Sequence, residues 1–216
     1  GGWRLAARRL EACGNYTENV AEILAALLLE DRRQRLESAF VSLAPVRPQR
    51  PAILVIASQR GLCGAFNDVV LEGAERLIAQ QEANSEQVQV VTLGNRAEGY
   101  FRRCGRPLLL AQPLPVTRVP SFEMVRGLAV ALQGLLSSGK VDTIDVIYSP
   151  YRPGITLRPI SRRWLPIDAS TLPRGSPRWL RPIVETDKEV LFERAMEEWA
   201  VVRSEEHTSE LQSRFD

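Results

Sequence analysis

The stretch Ile56–Asn67 carries the residue types best suited to binding chemistry, because two glycines, an arginine and a cysteine fall between a predicted strand and a predicted helix. In doubly wound folds a turn of this kind holds nucleotide phosphates on the free N–H groups of the helix. Here no Lys-Ser or Lys-Thr pair follows, Gly61 and Gly64 are too few for the dinucleotide fingerprint, and the second predicted strand ends at Gly94 without an acid for a ribose. These departures favour a structural turn over a nucleotide site.

Other chemically capable side chains lack the partners that catalysis needs. Arg60 and a helix start would lower the pKa of the Cys63 thiol, but the one histidine of the chain is the distant His207. Cys63 is therefore expected to be a packing residue. Asp142 directly precedes a predicted strand and Asp145 lies on it; in an extended chain residues three apart face opposite sides, so joint acid–base catalysis by this pair is disfavoured.

Composition argues against several classes of function. The 28 basic and 26 acidic residues leave a formal net charge of +2, and the arginines are scattered among acids rather than gathered on a nucleic-acid surface. The 3 cysteines are too far apart for a zinc cluster or a disulfide framework. No apolar run approaches the ~20 residues of a membrane-spanning helix. We expect no nucleic acid, metal or cofactor to bind, and no direct membrane span.

Three arginines, Arg158, Arg162 and Arg163, lie close together after the predicted fourth strand. They can form a solvated face or a patch that binds a partner. The sequence alone leaves both interpretations open.

Residues 3–38 are predicted to form one long helix. An apolar seam advances by alternating three and four residues through Tyr16, Val20, Ile23 and Leu27, which is the spacing of a coiled coil. The helix can pack on its own domain or pair with a distant helix, and the seam does not decide between the two.

After a linker marked by three prolines, strand and helix patterns alternate, which predicts an α/β fold. Strands are predicted at Ile53–Ala57, Val88–Leu93, around Leu108–Leu110, at Thr143–Tyr148 and at Gly154–Ile160, the last pair antiparallel. Helices are predicted at Asp68–Gln81 with Asn67 as N-cap, at Arg96–Arg103, from Ser121 to about Ser137, and at Asp187–Val202 after an irregular stretch from Pro166 to Pro182.

The run from Ser58 to Asn67 resembles the signature of F-type ATP synthase gamma subunits, which lies on the first strand and turn of their central domain. The matching residues are Ser58, Arg60, Gly61, Leu62, Cys63, Gly64 and Asn67. Gln59 stands where this family usually has Asp, and Ala65 where it usually has Gly, so the standard and the alternative F-type subtypes both stay open. The similarity extends over residues 3–202.

The resemblance implies a Rossmann-like central domain carried by an antiparallel coiled coil of the two terminal helices, both truncated in this sequence. Residues 1–44 would be the N-terminal shaft helix, 45–183 the α/β domain and 184–202 the start of the C-terminal shaft helix. The implied function is that of the central rotor shaft, a non-catalytic subunit that couples ion flow to ATP synthesis by rotation. Implied partners are the alpha, beta and epsilon subunits and the membrane c-ring, at the cytoplasmic face of a bacterial plasma membrane.

Residues 203–216 do not fit this pattern. Their first part resembles one reading frame of a widely used DNA-sequencing adapter, which predicts a non-native tail. A disordered polar C-terminus is the alternative. If the tail is set aside, the only histidine of the chain is set aside with it.

Two other classes of function remain. One is a small α/β enzyme that binds a nucleotide or metabolite, which the absent fingerprint disfavours. The other is a plain coiled-coil scaffold. Neighbouring genes for ATP synthase subunits would discriminate both from a rotor subunit.

Overall fold

A computed structural model of the chain describes residues 41–42, 48–60, 65–84, 87–114, 122–149 and 157–168. The predicted helix over residues 3–38 with its seam, the helix at Asp187–Val202 and the tail at 203–216 lie outside the described residues. The division of the chain into these segments therefore stays a prediction.

The described residues form strands and helices in alternation, as the sequence predicts. The strands are β1 (Val41–Ser42), β2 (Pro51–Ile56), β3 (Gln89–Leu93), β4 (Leu108–Gln112), β5 (Thr143–Tyr148), β6 (Ile160–Leu165) and β7 (Ile167–Asp168). The helices are α1 (Phe66–Glu82), α2 (Asn95–Arg103) and α3 (Phe122–Ser137).

The main sheet has five strands in the order β4-β3-β2-β5-β6. The first four are parallel, and β6 pairs antiparallel with β5. Every residue of the central strands β2 and β5 is buried, which is expected where helices cover both faces of a parallel sheet. The order of the parallel strands is that of a Rossmann-like half, so the predicted fold class is confirmed for the central domain.

The predicted position of the fifth strand is wrong, although its antiparallel pairing is confirmed. The strand runs from Ile160 to Leu165, and residues 157–159 of the predicted strand Gly154–Ile160 are not part of it. It is an edge strand, and Ser161 and Arg162 are exposed on it. Edge strands tolerate such polar residues, so the apolar pattern that locates buried strands does not locate this one.

A second, two-stranded sheet joins β1 to β7 in parallel, with Val41 opposite Ile167 and Ser42 opposite Asp168. β7 lies at the start of the stretch from Pro166 to Pro182, which is predicted to be irregular. The prediction is therefore corrected at the two residues of this strand. A two-residue strand carries no periodicity that a sequence pattern can detect.

The three helices bury one apolar side each. Val70, Ala74 and Ile78 of α1 are at most 1% exposed, while Val69 and Leu77 are half-buried. A Cβ on Gly73 would lie 2.6 Å from Pro159 Cβ, so only glycine lets α1 approach the segment before β6 this closely. Helices α1 and α2 pack against each other on one face, and the right-handed crossover rule places α3 on the other.

The reversed direction of β6 brings the two ends of the domain together. Pro51 at the start of β2 lies opposite Thr143 of β5, and the next β5 residue, Ile144, lies opposite Leu165 at the end of β6. The chain therefore enters and leaves the main sheet at the same end, the amino end of the parallel strands.

Candidate functional site

The signature begins where β2 ends, at the carboxyl edge of the parallel strands. The next backbone amide, Ala57 N, still donates to Leu93 O at 3.0 Å, and Ser58 after it is 2% exposed. From β2 the chain moves to β3 on one side and later returns to β5 on the other, so this edge is the switch point of the sheet. Doubly wound folds bind their ligands at the switch point, and the groups that occupy it determine what the site can do.

Asn67 holds Ser58 in place. The Asn67 side chain is buried, and its Oδ1 accepts hydrogen bonds from the backbone N and from the Oγ of Ser58, both at 3.0 Å. The Ser58 hydroxyl also contacts the carbonyl oxygen of Arg60. Since a hydroxyl has one hydrogen, it is shared between the two acceptors. The end of β2 is thereby tied to the first turn of α1.

The predicted role of Asn67 as an N-cap is wrong. Helix α1 begins at Phe66, one residue earlier, and Ala65 at the N-cap position makes no side-chain cap. An Asn oxygen caps a helix by accepting a nearby backbone N–H. Here it accepts the amide of Ser58 instead, because the strand end lies directly against the helix.

Gln59 links the ends of three neighbouring strands. Its Oε1 accepts hydrogen bonds from Leu114 N at 2.7 Å, just beyond β4, and from Asn95 N at 3.3 Å, just beyond β3. The following amide, Arg96 N, donates to Ser58 O at 3.1 Å. The first turn of α2 is therefore capped by the loop after β2, although Gly94 at its N-cap position has no side chain.

Gly94 allows this close approach. Its φ is +97°, a conformation that side chains with a Cβ rarely adopt, and a Cβ built there would lie 2.2 Å from Ala57 O. Gly94 N donates to Gln112 O at 2.8 Å. A larger residue would separate the ends of β2, β3 and β4.

The chemical consequence concerns anions. The free amides at a helix start are the groups that hold a phosphate in a Rossmann domain. At α2 the first two amides, those of Asn95 and Arg96, are bonded to oxygen atoms of Gln59 and Ser58. An anion at this helix would meet those oxygens in place of N–H groups, so the geometry is that of a structural junction.

The other predicted site residues divide into two groups. Arg60 is exposed at the end of the described loop and has a contact of its own. Gly61, Leu62, Cys63 and Gly64 lie outside the described residues, as do the seam residues Tyr16, Val20, Ile23 and Leu27. The predicted packing role of Cys63 therefore stays a prediction.

The two acids considered as a catalytic pair have separate structural roles. Asp142 precedes β5, and its Oδ2 accepts the backbone N–H groups of Gln49 at 2.7 Å and Arg50 at 2.9 Å. Asp145 is 7% exposed on β5 and binds Arg163, with Oδ1 at 2.6 Å from the arginine Nε. The arrangement gives them no shared reacting position.

The arginine group is not one surface. Arg158 and Arg162 are exposed, whereas the Arg163 guanidinium crosses from β6 to Asp145 on β5. Gln81 Nε2 of α1 donates to the same carboxylate at 2.5 Å. Arg163 is thus part of an internal cross-link, and only the other two arginines are available for a solvated face or a partner.

Among the described residues, no group of three or more His, Cys, Asp or Glu side chains is arranged to hold a metal ion. Within the same part of the chain, no helix is both long and apolar enough to cross a membrane.

Sequence reasoning missed the structural roles of Gln59 and Gly94. In the sequence, Gln59 stands out only as a departure from the family signature. Gly94 stands out only because no acid follows the second predicted strand there. A glycine between a strand and a helix does signal a close backbone approach. Nothing in the sequence, however, indicates which backbone comes close.

Comparisons with known proteins point to one family. A family model described as ATP synthase matches residues 3–215. The ATP synthase gamma chain of Synechococcus sp. (strain JA-2-3B'a(2-13)) is 29% identical over 170 residues, which are 78% of this chain and 53% of that protein. The chloroplastic ATP synthase subunit gamma of Zea mays is 29% identical over 153 residues, which are 70% of this chain and 42% of that protein.

Solved structures show the same fold. A chain of the Tetrahymena thermophila mitochondrial ATP synthase central stalk/c-ring structure superposes with a TM-score of 0.64 at 20% identity, over 98% of this chain and 93% of that chain. A chain of the Euglena gracilis mitochondrial ATP synthase OSCP/F1/c-ring structure gives 0.51 at 16% identity, over 99% and 81%.

The fold and the site together define a Rossmann-like α/β domain in which hydrogen bonds join the carboxyl ends of β2, β3 and β4. The chain belongs to the ATP synthase gamma-chain family. It spans about half the length of the curated relatives that it matches.

Proposed function

We propose that this chain is part of the central rotor shaft of an F-type ATP synthase. In this role it couples transmembrane ion flow to ATP synthesis by rotating inside the catalytic ring. Family membership over residues 3–215 supports the proposal most directly.

One feature of the fold fits a shaft subunit. Two shaft helices that run side by side need a domain whose incoming and outgoing chain ends are close together. Pro51 and Leu165 meet this condition, since both lie at the amino end of β5. An all-parallel sheet would place its last strand end at the opposite edge.

In this proposal the chain is not catalytic. The first amides of α2 are bonded to oxygens of the chain itself, and the two acids Asp142 and Asp145 make structural contacts. Nucleotide turnover then belongs to the alpha and beta subunits, and shaft angle is coupled to nucleotide affinity there. The epsilon subunit and the membrane c-ring are the other proposed partners, at the cytoplasmic face of a bacterial plasma membrane.

The test is assembly with a catalytic ring. A gamma-depleted ATP synthase from a cyanobacterial relative is mixed with the full chain, and the products are separated by size. We expect the chain to co-elute with the ring and to be displaced by the complete gamma chain of that relative. Failure to co-elute, under conditions where the relative's own gamma chain assembles, would contradict the proposal.

A second measurement addresses the alternative of a small nucleotide-binding enzyme. Calorimetry of the full chain with ATP, ADP and NAD is expected to show no binding heat. Micromolar binding of any of the three would favour the enzyme, and bovine serum albumin serves as a control for nonspecific heat.

A further inference from the structure

Asp142 fastens the incoming chain to the sheet. Its Oδ2 accepts the backbone amides of Gln49 at 2.7 Å and Arg50 at 2.9 Å, and its own backbone N donates to Arg50 O at 3.1 Å. These contacts lie immediately before the ladder between β2 and β5, which begins with Pro51 opposite Thr143. We call the three hydrogen bonds the Asp142 clamp.

The clamp provides hydrogen bonds at a point where the β2–β5 ladder lacks a backbone donor. Pro51 has no N–H, so the first residue of β2 cannot donate to a neighbouring strand. A carboxylate that accepts two amides forms charge-assisted hydrogen bonds, which are stronger than neutral ones. Within the described residues its second oxygen, Oδ1, is buried and makes no hydrogen bond. Burial of that oxygen adds a cost that the two bonds to Oδ2 must offset.

A second attachment of the incoming chain leads to the same strands. β1 pairs with β7, and β7 follows β6 after a single residue and contacts it. The hairpin of β5 and β6 is itself braced by the ion pair between Arg163 and Asp145. The described attachments of residues 41–42 and 49–50 therefore lead to the β5–β6 hairpin and not to the opposite edge of the sheet.

This arrangement matters for a force that arrives along the chain. Tension on residues 48–50 along the strand direction loads the clamp and the first bonds of the β2–β5 ladder together, in shear. Without the carboxylate, the described hydrogen bonds of residues 49 and 50 would be reduced to the one between Asp142 N and Arg50 O, and the start of β2 would resist this tension less.

We propose that the Asp142 clamp is the mechanical anchor through which the incoming segment passes force to the β5–β6 hairpin. The role rests on the proposed rotor function, because only a force-transmitting subunit needs it. Asp142 thus holds the incoming segment in position for force transmission and takes no part in chemistry.

The test is force spectroscopy on the full chain, which requires no partner subunit. One handle is attached at Arg47→Cys, between β1 and the clamp, so that the β1–β7 pairing is not in the path of the force, and the other at Pro113→Cys, an exposed position just after β4 at the carboxyl edge, with the natural cysteines replaced by Ser. We expect Asp142→Ala to accelerate the first detachment step by roughly tenfold or more at fixed force, as the loss of a charge-assisted bond implies. Asp142→Asn keeps an acceptor oxygen and is expected to fall between.

Two controls separate an anchor from a general loss of stability. Ile144→Val, a conservative change in the buried core next to the clamp, is expected to lower the thermal midpoint without changing the first detachment step. Pulling from the carboxyl terminus instead of residue 47 should abolish the difference between Asp142→Ala and the unchanged chain.

The inference is overturned if Ile144→Val accelerates the first step as much as Asp142→Ala, or if the effect of Asp142→Ala is the same for both pulling directions. These outcomes are independent of the assembly test. A chain with the anchor that fails to join the catalytic ring would contradict the rotor function and leave the anchor as a property of the fold.

Discussion

Asn67 and Ser58 are nine residues apart in sequence and share one buried contact, in which the Asn67 Oδ1 accepts both the amide and the hydroxyl of Ser58 at 3.0 Å. The pair fixes the end of the central strand against the start of α1. Ser58 O and Gln59 Oε1 then cap α2, so this pair also sets the position of the second helix.

Replacing Asn67 by Ala should lower the free energy of unfolding by about 1–3 kcal/mol, because it leaves the buried amide of Ser58 without its acceptor, while the Ser58 hydroxyl keeps Arg60 O. Urea denaturation measures the change. Asn84→Ala is the control, since Asn84 is exposed and its side-chain amide donates to Gln80 O. Equal small losses for both variants would show that the Asn67 contact contributes little.

Gly94→Ala should destabilise the domain by roughly 2 kcal/mol or more, because the new methyl would meet Ala57 O at 2.2 Å and the backbone has φ +97°. Gly127→Ala is the matched control. A Cβ at Gly127 meets nothing within 4 Å inside helix α3, so this change should stabilise by up to about 1 kcal/mol. Thermal unfolding distinguishes the opposite signs, and a neutral Gly94→Ala would mean that the strand ends can separate freely.

Gln59→Ala should cost about 1–2 kcal/mol, since the amides of Asn95 and Leu114 lose their acceptor. Gln59→Glu keeps the acceptor and adds a negative charge at the start of α2. It should therefore match or exceed the original stability by about 0.3–1 kcal/mol at neutral pH. The two variants are compared by chemical denaturation, and a Glu variant as unstable as the Ala variant would rule out the proposed cap.

The pKa of Tyr100 is raised above its ordinary value, first by burial and then by the negative charge of Glu75. A raised tyrosine pKa means that the folded state holds the proton more tightly, so its contribution to stability is complete below pH 10 and is lost as the pH rises through the folded value. Tyr100→Phe should therefore flatten the loss of stability above about pH 10. Parallel curves for the two proteins between about pH 9 and 11 would contradict this.

Much of the central sheet can be predicted from sequence. The strand at Thr143–Tyr148 matches its predicted bounds, because a strand buried on both faces requires an unbroken apolar run. The edge strand β6 escapes prediction for the converse reason, since Ser161 and Arg162 face solvent. Helix positions follow from the apolar side of each helix, and their ends shift by one or two residues.

The contacts of the site could not be predicted in the same way. Local chemistry predicts that an Asn at a helix start is an N-cap. Because β2 packs against α1, the Asn67 side chain instead accepts a hydrogen bond from the Ser58 amide. Gln59 bonds to residues 36 and 55 positions away. Contacts at that separation depend on strand order and register, which a single sequence does not encode in any local pattern.

Strand β6 runs opposite to the other four strands of the main sheet. The central domain is therefore arranged as an insertion whose two ends lie side by side. Pro51 and Leu165 lie at the same end of β5, so the chain leaves the domain close to where it enters, as it does in a long loop. Domains with neighbouring termini can be excised, circularly permuted or placed in another host with little strain. A domain of this kind can be gained or lost without changing the path of the segments on either side, so under the proposed rotor function the central domain can vary independently of the predicted shaft helices.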